Sequence, residues 1–250
     1  MINDMNFLEK AYLFATLSNA AYTDDCSKNF LELEMKPYNY VFFNNDGAQG
    51  HAACNKDDLI ITCRGTQPTK INDLYADLDT IPKRHALGWV HEGFRREARK
   101  LLPMILDYIK KYPNRKIWLA GHSLGAAMAL YITQELEFAG YNPEMLFTYG
   151  CPRLGNKEYI DCIKTKHHRF VNCNDIVTTV PPTFLGFRHH GILHYINYYG
   201  NIRQLTPWQM IKDKVRAHHY AFKKGELFKG IDDHSIGLYA TKIKNIDPNK

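Results

Sequence analysis

Residues 116–130, KIWLAGHSLGAAMAL, constrain the chain more than any other stretch. An apolar run reads as a strand and stops at Gly121. Ser123 follows, then Gly125, then an alanine-rich segment with helical character. Strand, sharp turn and helix in this order, with a serine between two glycines, is the pattern GxSxG. An ordinary strand-to-helix turn would use the same residue types. The alternative is that Ser123 is a nucleophile and that the glycines let the backbone turn sharply enough to expose it.

The flanking sequence sets the wider architecture. The first 22 residues, MINDMNFLEKAYLFATLSNAAY, place Phe7, Ala11, Phe14, Ala15 and Ser18 at helical spacing and predict an amphipathic first helix. YNYVFFNND reads as a strand, and GHAACNKDDLIITCRG as two strands around residues 55–58. EGFRREARKLLPMILDYIKKY is helical, with Pro103 expected to kink or break it. Strands and helices then alternate to Cys173, which predicts a mainly parallel sheet with helices on its faces. GILHYINYYGNIRQLTP reads as a hairpin turning at residues 200–201, and two helices close the chain near 209–223 and 233–244. With no repeat, linker or low-complexity tract, residues 1–250 read as one α/β domain.

Composition removes several classes of function. A hydrophobic content of 45% permits a sizeable core and argues against disorder. The net charge of +6 comes from scattered Lys and Arg, so nucleic acid is not an expected partner, while attraction to an anionic membrane surface is compatible with it. No apolar run reaches the roughly 18 residues of a membrane span. Asp4 and Glu9 stand where a signal peptide carries positive charge, so a cytoplasmic protein, or one exported without a cleaved signal, is expected. The six cysteines form no CxxC pair and read as buried free thiols.

A serine nucleophile needs a base, and the base needs a carboxylate to orient it. In sheet-and-helix hydrolases the chain order is Ser, acid, His. Asp175, after the strand in HHRFVNCND, sits at the carboxyl end where such sheets build their sites. Asp161 competes but falls within a short helix and is expected to face solvent. His189, His190, His194, His218, His219 and His234 all follow Asp175; residue type alone does not choose among them, though His234 stands at a loop-to-helix junction that suits a base. The pairs 167–168, 189–190 and 218–219 are not expected to bind metal, because neighbours on a strand point to opposite faces.

Six ordered blocks narrow the choice: IITCRGTQ, WVHEGF, IWLAGHSLGAAMA, FTYGCPRLGN, RFVNCNDIVTTVPP and DDHSIGLY. Together, over about residues 7–244, they resemble the fungal-type (class 3) triacylglycerol lipases, a branch of the α/β-hydrolases. The resemblance implies an α/β-hydrolase fold with a short lid. It carries the catalytic base onto His234 and leaves His190 as runner-up. It also implies an oxyanion hole from the Leu124 N–H and from Thr66, and it places a mobile lid at residues 67–88. There Ile71, Leu74, Tyr75 and Leu78 follow i, i+3, i+4, i+7 spacing, an apolar face that a small core helix would share. The expected protein is a serine ester hydrolase acting on lipid esters at a lipid–water interface, with transient contact to a membrane or lipid droplet and no metal or organic cofactor. Phospholipase A1, short-chain esterase and a lipase-like binding protein without activity are the rival readings.

Overall fold

The structure, a computed structural model, describes residues 2–35, 39–65, 82–223 and 232–246. Its centre is an eight-stranded sheet in the order β1-β2-β3-β6-β7-β8-β9-β10. The strands are β1 (Val41–Asn45), β2 (Ala48–Cys54), β3 (Asp58–Cys63), β6 (Lys116–His122), β7 (Met145–Tyr149), β8 (His167–Asn172), β9 (Ile192–Ile196) and β10 (Ile202–Arg203). From β3 to β9 the pairing is parallel. At the two ends, β1-β2-β3 and β9-β10 pair antiparallel. The expected parallel centre with hairpin flanks is therefore observed, and the last hairpin turns through residues 197–201.

Both faces of β3, β6 and β7 are buried, which is why these strands read as continuous apolar runs. Along β6, Ile117 and Leu119 join one core while Trp118 and Ala120 join the other. The first core packs under α3 (Glu92–Lys111) and α4 (Leu124–Phe138), through Phe94, Leu101, Ile105 and Met128. The second packs under α1 (Phe7–Ala20) and α7 (Ile236–Lys244), through Phe14, Phe147, Phe170 and Tyr239. Helix α1 begins at a capping box: Asn6 Oδ1 accepts from Glu9 N at 3.0 Å, and Glu9 Oε2 accepts from Asn6 N at 2.7 Å. The remaining described α-helices are α2 (Ser27–Leu31), α5 (Lys157–Asp161) and α6 (Pro207–Lys223).

Three local features depart from the sequence expectations. Helix α3 runs unbroken through Pro103, because Leu101 and Ile105 are fully buried on either side and tertiary packing outweighs the lost backbone bond. Residues 27–31 form a short helix that the periodicity did not show. Part of the expected lid segment is a hairpin, β4 (Pro82–His85) with β5 (Gly88–His91). It is tied to α4 by a 3.1 Å bond between His85 Nε2 and Glu135 Oε1. Thr66, Ile71, Leu74, Tyr75 and Leu78 lie outside the described residues. All six cysteines are free, five of them buried. No helix among the described residues is long and apolar enough to cross a membrane.

Candidate active site

The turn at Ser123 exists because three pieces of backbone meet there. A Cβ at Gly121 would collide with the Gly125 carbonyl, and one at Gly125 would collide with the Cys63 carbonyl at the end of β3. Only glycine at both positions lets α4 start directly on top of β3 and β6. Ser123 itself takes φ 59° and ψ −130°, a region that L-residues rarely occupy and that costs of order 1–3 kcal/mol. The turn is held by Ser123 N donating to Tyr149 O at 3.1 Å and by Ala126 N donating to Ser123 O at 3.0 Å. A serine before a helix normally caps it with its hydroxyl. Here the side chain makes no cap bond, so the hydroxyl is left available.

Beyond the end of β8 lies Asp175, fully buried. Its carboxylate accepts from Val177 N at 2.9 Å, from Tyr239 Oη at 2.6 Å, and from His234 Nδ1 at 2.9 and 3.0 Å. Because a carboxylate faces Nδ1, that nitrogen carries the proton and Nε2 keeps its lone pair. Ser123 Oγ and His234 Nε2 are both buried, and neither has a hydrogen-bond partner. The serine and the imidazole are thus not bonded to each other here. Each unpaired buried polar atom costs on the order of 1–3 kcal/mol, and both belong to the groups that a nucleophile and its base would supply.

The histidine loop is anchored from several sides. Asn172, the last residue of β8, donates from Nδ2 to the Asp233 carbonyl at 2.8 Å, and its Oδ1 accepts from Lys242 Nζ at 2.6 Å. Its backbone N–H donates to Tyr239 Oη at 2.8 Å, so this tyrosine bridges β8 to Asp175. Burial, and then the Asp175 carboxylate, push the Tyr239 phenol well above the ordinary tyrosine range, which keeps it a donor.

His122, inside the GxSxG pattern, supports the same loop. Its Nε2 lies 2.6 Å from the His234 carbonyl, so it must donate there, and its Nδ1 accepts from Tyr22 Oη at 2.7 Å. Burial, and then the neighbouring His234, hold the His122 imidazole well below the ordinary histidine range. It is a neutral strut, its ring centroid 4.4 Å from that of His234 and the two rings tilted by 34°.

The other sequence candidates fall elsewhere. His190 faces His167, with their Nδ1 atoms 3.1 Å apart. His168 instead meets His194 at 2.9 Å, so the 167–168 neighbours do point to opposite sides of the sheet. Asp161 is exposed and paired with Lys157. Leu124 is the first residue of α4, so its N–H has no carbonyl one turn back within the helix. Residue-level reasoning missed Tyr22, His122, Asn172 and Tyr239. The signal for Tyr239 was its place in DDHSIGLY, one helical turn and a half beyond His234, while Tyr22 carried none.

A mainly parallel sheet with a strained serine between strand β6 and helix α4, and an Asp–His pair beyond later elements, defines an α/β-hydrolase fold. The family described as Lipase (class 3) matches residues 60–185. That is half of the sequence, and the chain belongs to this family. It is 32% identical over 152 residues to a lipase of Rhizomucor miehei, covering 55% of this chain and 41% of that protein. It is 36% identical over 162 residues to a secreted mono- and diacylglycerol lipase of Malassezia globosa, covering 60% and 51% respectively. The matches thus take in about half of these curated relatives' length. A solved triacylglycerol lipase, described as having a serine protease triad at its catalytic centre, superposes with a TM-score of 0.65. It is 26% identical, over 76% of this chain and 80% of that one.

Proposed function

We propose that the protein is a serine hydrolase that cleaves carboxylic esters of lipids, triacylglycerols among them. The observation that carries this reading is the buried, strained and unbonded Ser123, whose neighbour His122 bonds the carbonyl of a histidine held at Nδ1 by a carboxylate. In the proposed cycle, Ser123 Oγ attacks the ester carbonyl while His234 Nε2 takes its proton. Asp175 holds the imidazole in the required tautomer and stabilises its cation. The developing oxyanion is met by the Leu124 N–H and by Thr66, the latter carried over from the family's block. The imidazolium returns its proton to the leaving alcohol, leaving an acyl-serine. Water, deprotonated by His234, then releases the fatty acid.

Apolar surface on the loop that follows Asp175 supports lipid esters as the substrate class. The loop that starts at Asp175 exposes Ile176, Phe184 and Leu185, and Leu185 and Phe187 line an open cleft of about 310 Å³ with Trp89. Two of the relatives named above are lipases of acylglycerols. Residues 67–88, with Ile71, Leu74, Tyr75 and Leu78, are proposed as the lid that family membership implies.

The test is covalent labelling with a fluorophosphonate probe, followed by hydrolysis of emulsified triglyceride, phospholipid and short soluble esters. Labelling that Ser123→Ala abolishes, with release of fatty acid from the emulsion, is the expected outcome. A folded protein that takes no label would instead be a lipase-like binding protein.

A further inference from the structure

Helix α6 is built with its polar anchor inside and apolar residues outside. Among the described side chains it buries only Asp213 and Ala217, while Trp208, Ile211 and Val215 are 63%, 51% and 62% exposed. At about 100° per residue these three share one stripe, on the side of the helix away from Asp213 and Ala217. Helices on soluble proteins ordinarily turn that stripe toward the core. Here the inner face is fixed by a carboxylate instead. Asp213 Oδ2 accepts from Tyr198 N at 2.9 Å, Tyr195 Oη at 3.1 Å and Cys173 Sγ at 3.1 Å. The outward stripe is therefore not the by-product of a loosely placed helix.

The charges around the stripe identify what would cover it. Asp213 is the sole acid in α6 and points inward, while Lys212 and Arg216 flank the stripe on one side and Lys214 on the other. Lys212 Nζ sits 5.5 Å from the Trp208 ring, and the Arg216 guanidinium 5.7 Å from the ring of exposed Tyr199. A tryptophan-centred apolar stripe between cations matches the boundary of an anionic bilayer, where rings and aliphatic groups enter the acyl edge and ammonium groups reach phosphates. A second copy of the chain fits less well, because both partners would carry a net charge of +6.

We propose that the outer face of α6 docks the protein on an anionic phospholipid surface. This assignment goes beyond the ester-hydrolase reading and does not depend on the chemistry at Ser123. It concerns a face made of Trp208, Ile211, Val215, Lys212, Lys214 and Arg216.

The experiment is co-sedimentation of the full chain, carrying Ser123→Ala to prevent lipid turnover, with sucrose-loaded vesicles. One set is phosphatidylcholine and the other equal parts phosphatidylcholine and phosphatidylglycerol. Binding to the anionic vesicles that weakens with salt is expected. Trp208→Ser, Ile211→Ser and Val215→Ser together should lower the partition coefficient by about a hundredfold or more. Lys212→Gln with Lys214→Gln should lower it by roughly fivefold per cation at low salt. Circular dichroism and the thermal midpoint show whether the variants are folded. Equal binding of the folded triple variant and its parent overturns the proposal, as does equal binding to both vesicle types. A triple variant that turns a dimer into a monomer with vesicle binding unaltered assigns the face to a second copy and also overturns it. Failure of fluorophosphonate labelling in the unmodified chain would sink the hydrolase reading alone.

Discussion

Helices α4 and α6 pack on the same side of one sheet and are held by opposite means. Eleven of the fifteen residues of α4 are buried, and its first turn is locked between β3 and β6 by glycines that admit no side chain. The described part of α6 buries two side chains and is anchored mainly by one carboxylate. The difference fits what each helix carries. In the proposed mechanism the start of α4 has to place a serine and a backbone N–H to within a fraction of an ångström, and close packing over-determines that position. A surface helix has to present a face and needs only a pin.

Acid provides the harshest way to break this contrast. The sheet beside and beneath α4 contains histidines that burial keeps neutral: His122 and His167 lie well below their ordinary range, and His51, His168 and His194 lie at about 4. Their folded pKa is depressed, so between pH 6.5 and about 4 the unfolded chain takes up protons that the folded one refuses. Stability is then complete above pH 6.5 and falls as pH drops. Each such group removes up to about 1.4 kcal/mol per pH unit in that window. Urea unfolding at pH 7.5, 6 and 5 should show a steep loss of several kcal/mol. A flat profile would mean that these side chains charge within the fold.

A methyl group at Gly125 is the next most damaging change. Gly125→Ala forces a Cβ into the Cys63 carbonyl, and backbone on both sides leaves no room to yield. We expect a cost of at least about 3 kcal/mol, or insoluble protein. A Gly125→Ala protein with the parental thermal midpoint and full probe labelling would show that the contact is not tight.

Asp213→Ala tests the pin. It leaves the Tyr198 N–H, the Tyr195 hydroxyl and the Cys173 thiol without their shared acceptor, for an expected cost of about 2–3 kcal/mol. The loss should be local. Hydrogen exchange should quicken in α6 and stay slow in α4. Equal acceleration in both helices would show that the two regions open together.

The same contrast explains what could be read from the sequence. The parallel centre was legible because β3, β6 and β7 are buried on both faces and its helices repeat at the helical period. The β4–β5 hairpin was not, because it is short, starts at a proline and owes its place to Asn156 and Glu135 far along the chain. At the candidate site, chain order and strand position singled out Asp175. Six histidines followed it; the loop-to-helix junction at His234 suited a base, and the family's last block settled the choice. The struts were invisible for a physical reason: Tyr22 meets His122 across 100 residues, and Tyr239 meets Asp175 across 64. Such contacts leave no periodicity. Asp213 was hidden in the same way, since a lone acid in a basic helix reads as a solvent-facing residue until the fold turns it inward.

The smallest effect we expect is also the most informative about positioning. His122 does not touch a substrate in the proposed mechanism. It acts through His234, whose carbonyl receives its Nε2 proton, while Tyr22 fixes its tautomer from the other side. His122→Phe keeps a ring against His234 and removes both bonds. The His234 backbone then loses one tether but keeps the Asp175 bond to its ring and the Asn172 bond to Asp233. A misplacement of the base by a fraction of an ångström should lower kcat by about tenfold, with KM for a soluble ester little changed. Tyr22→Phe removes only the bond that sets the tautomer, so its loss should be smaller, because His122 Nε2–H can still reach the carbonyl. A purely structural role would instead lower the thermal midpoint and the amount of active protein, with kcat per labelled site at the parental value. Titrating active sites with the fluorophosphonate probe separates the two. If kcat per labelled site is unchanged in His122→Phe, the strut does not position the base, and the packing of α4 alone holds the serine end of the site.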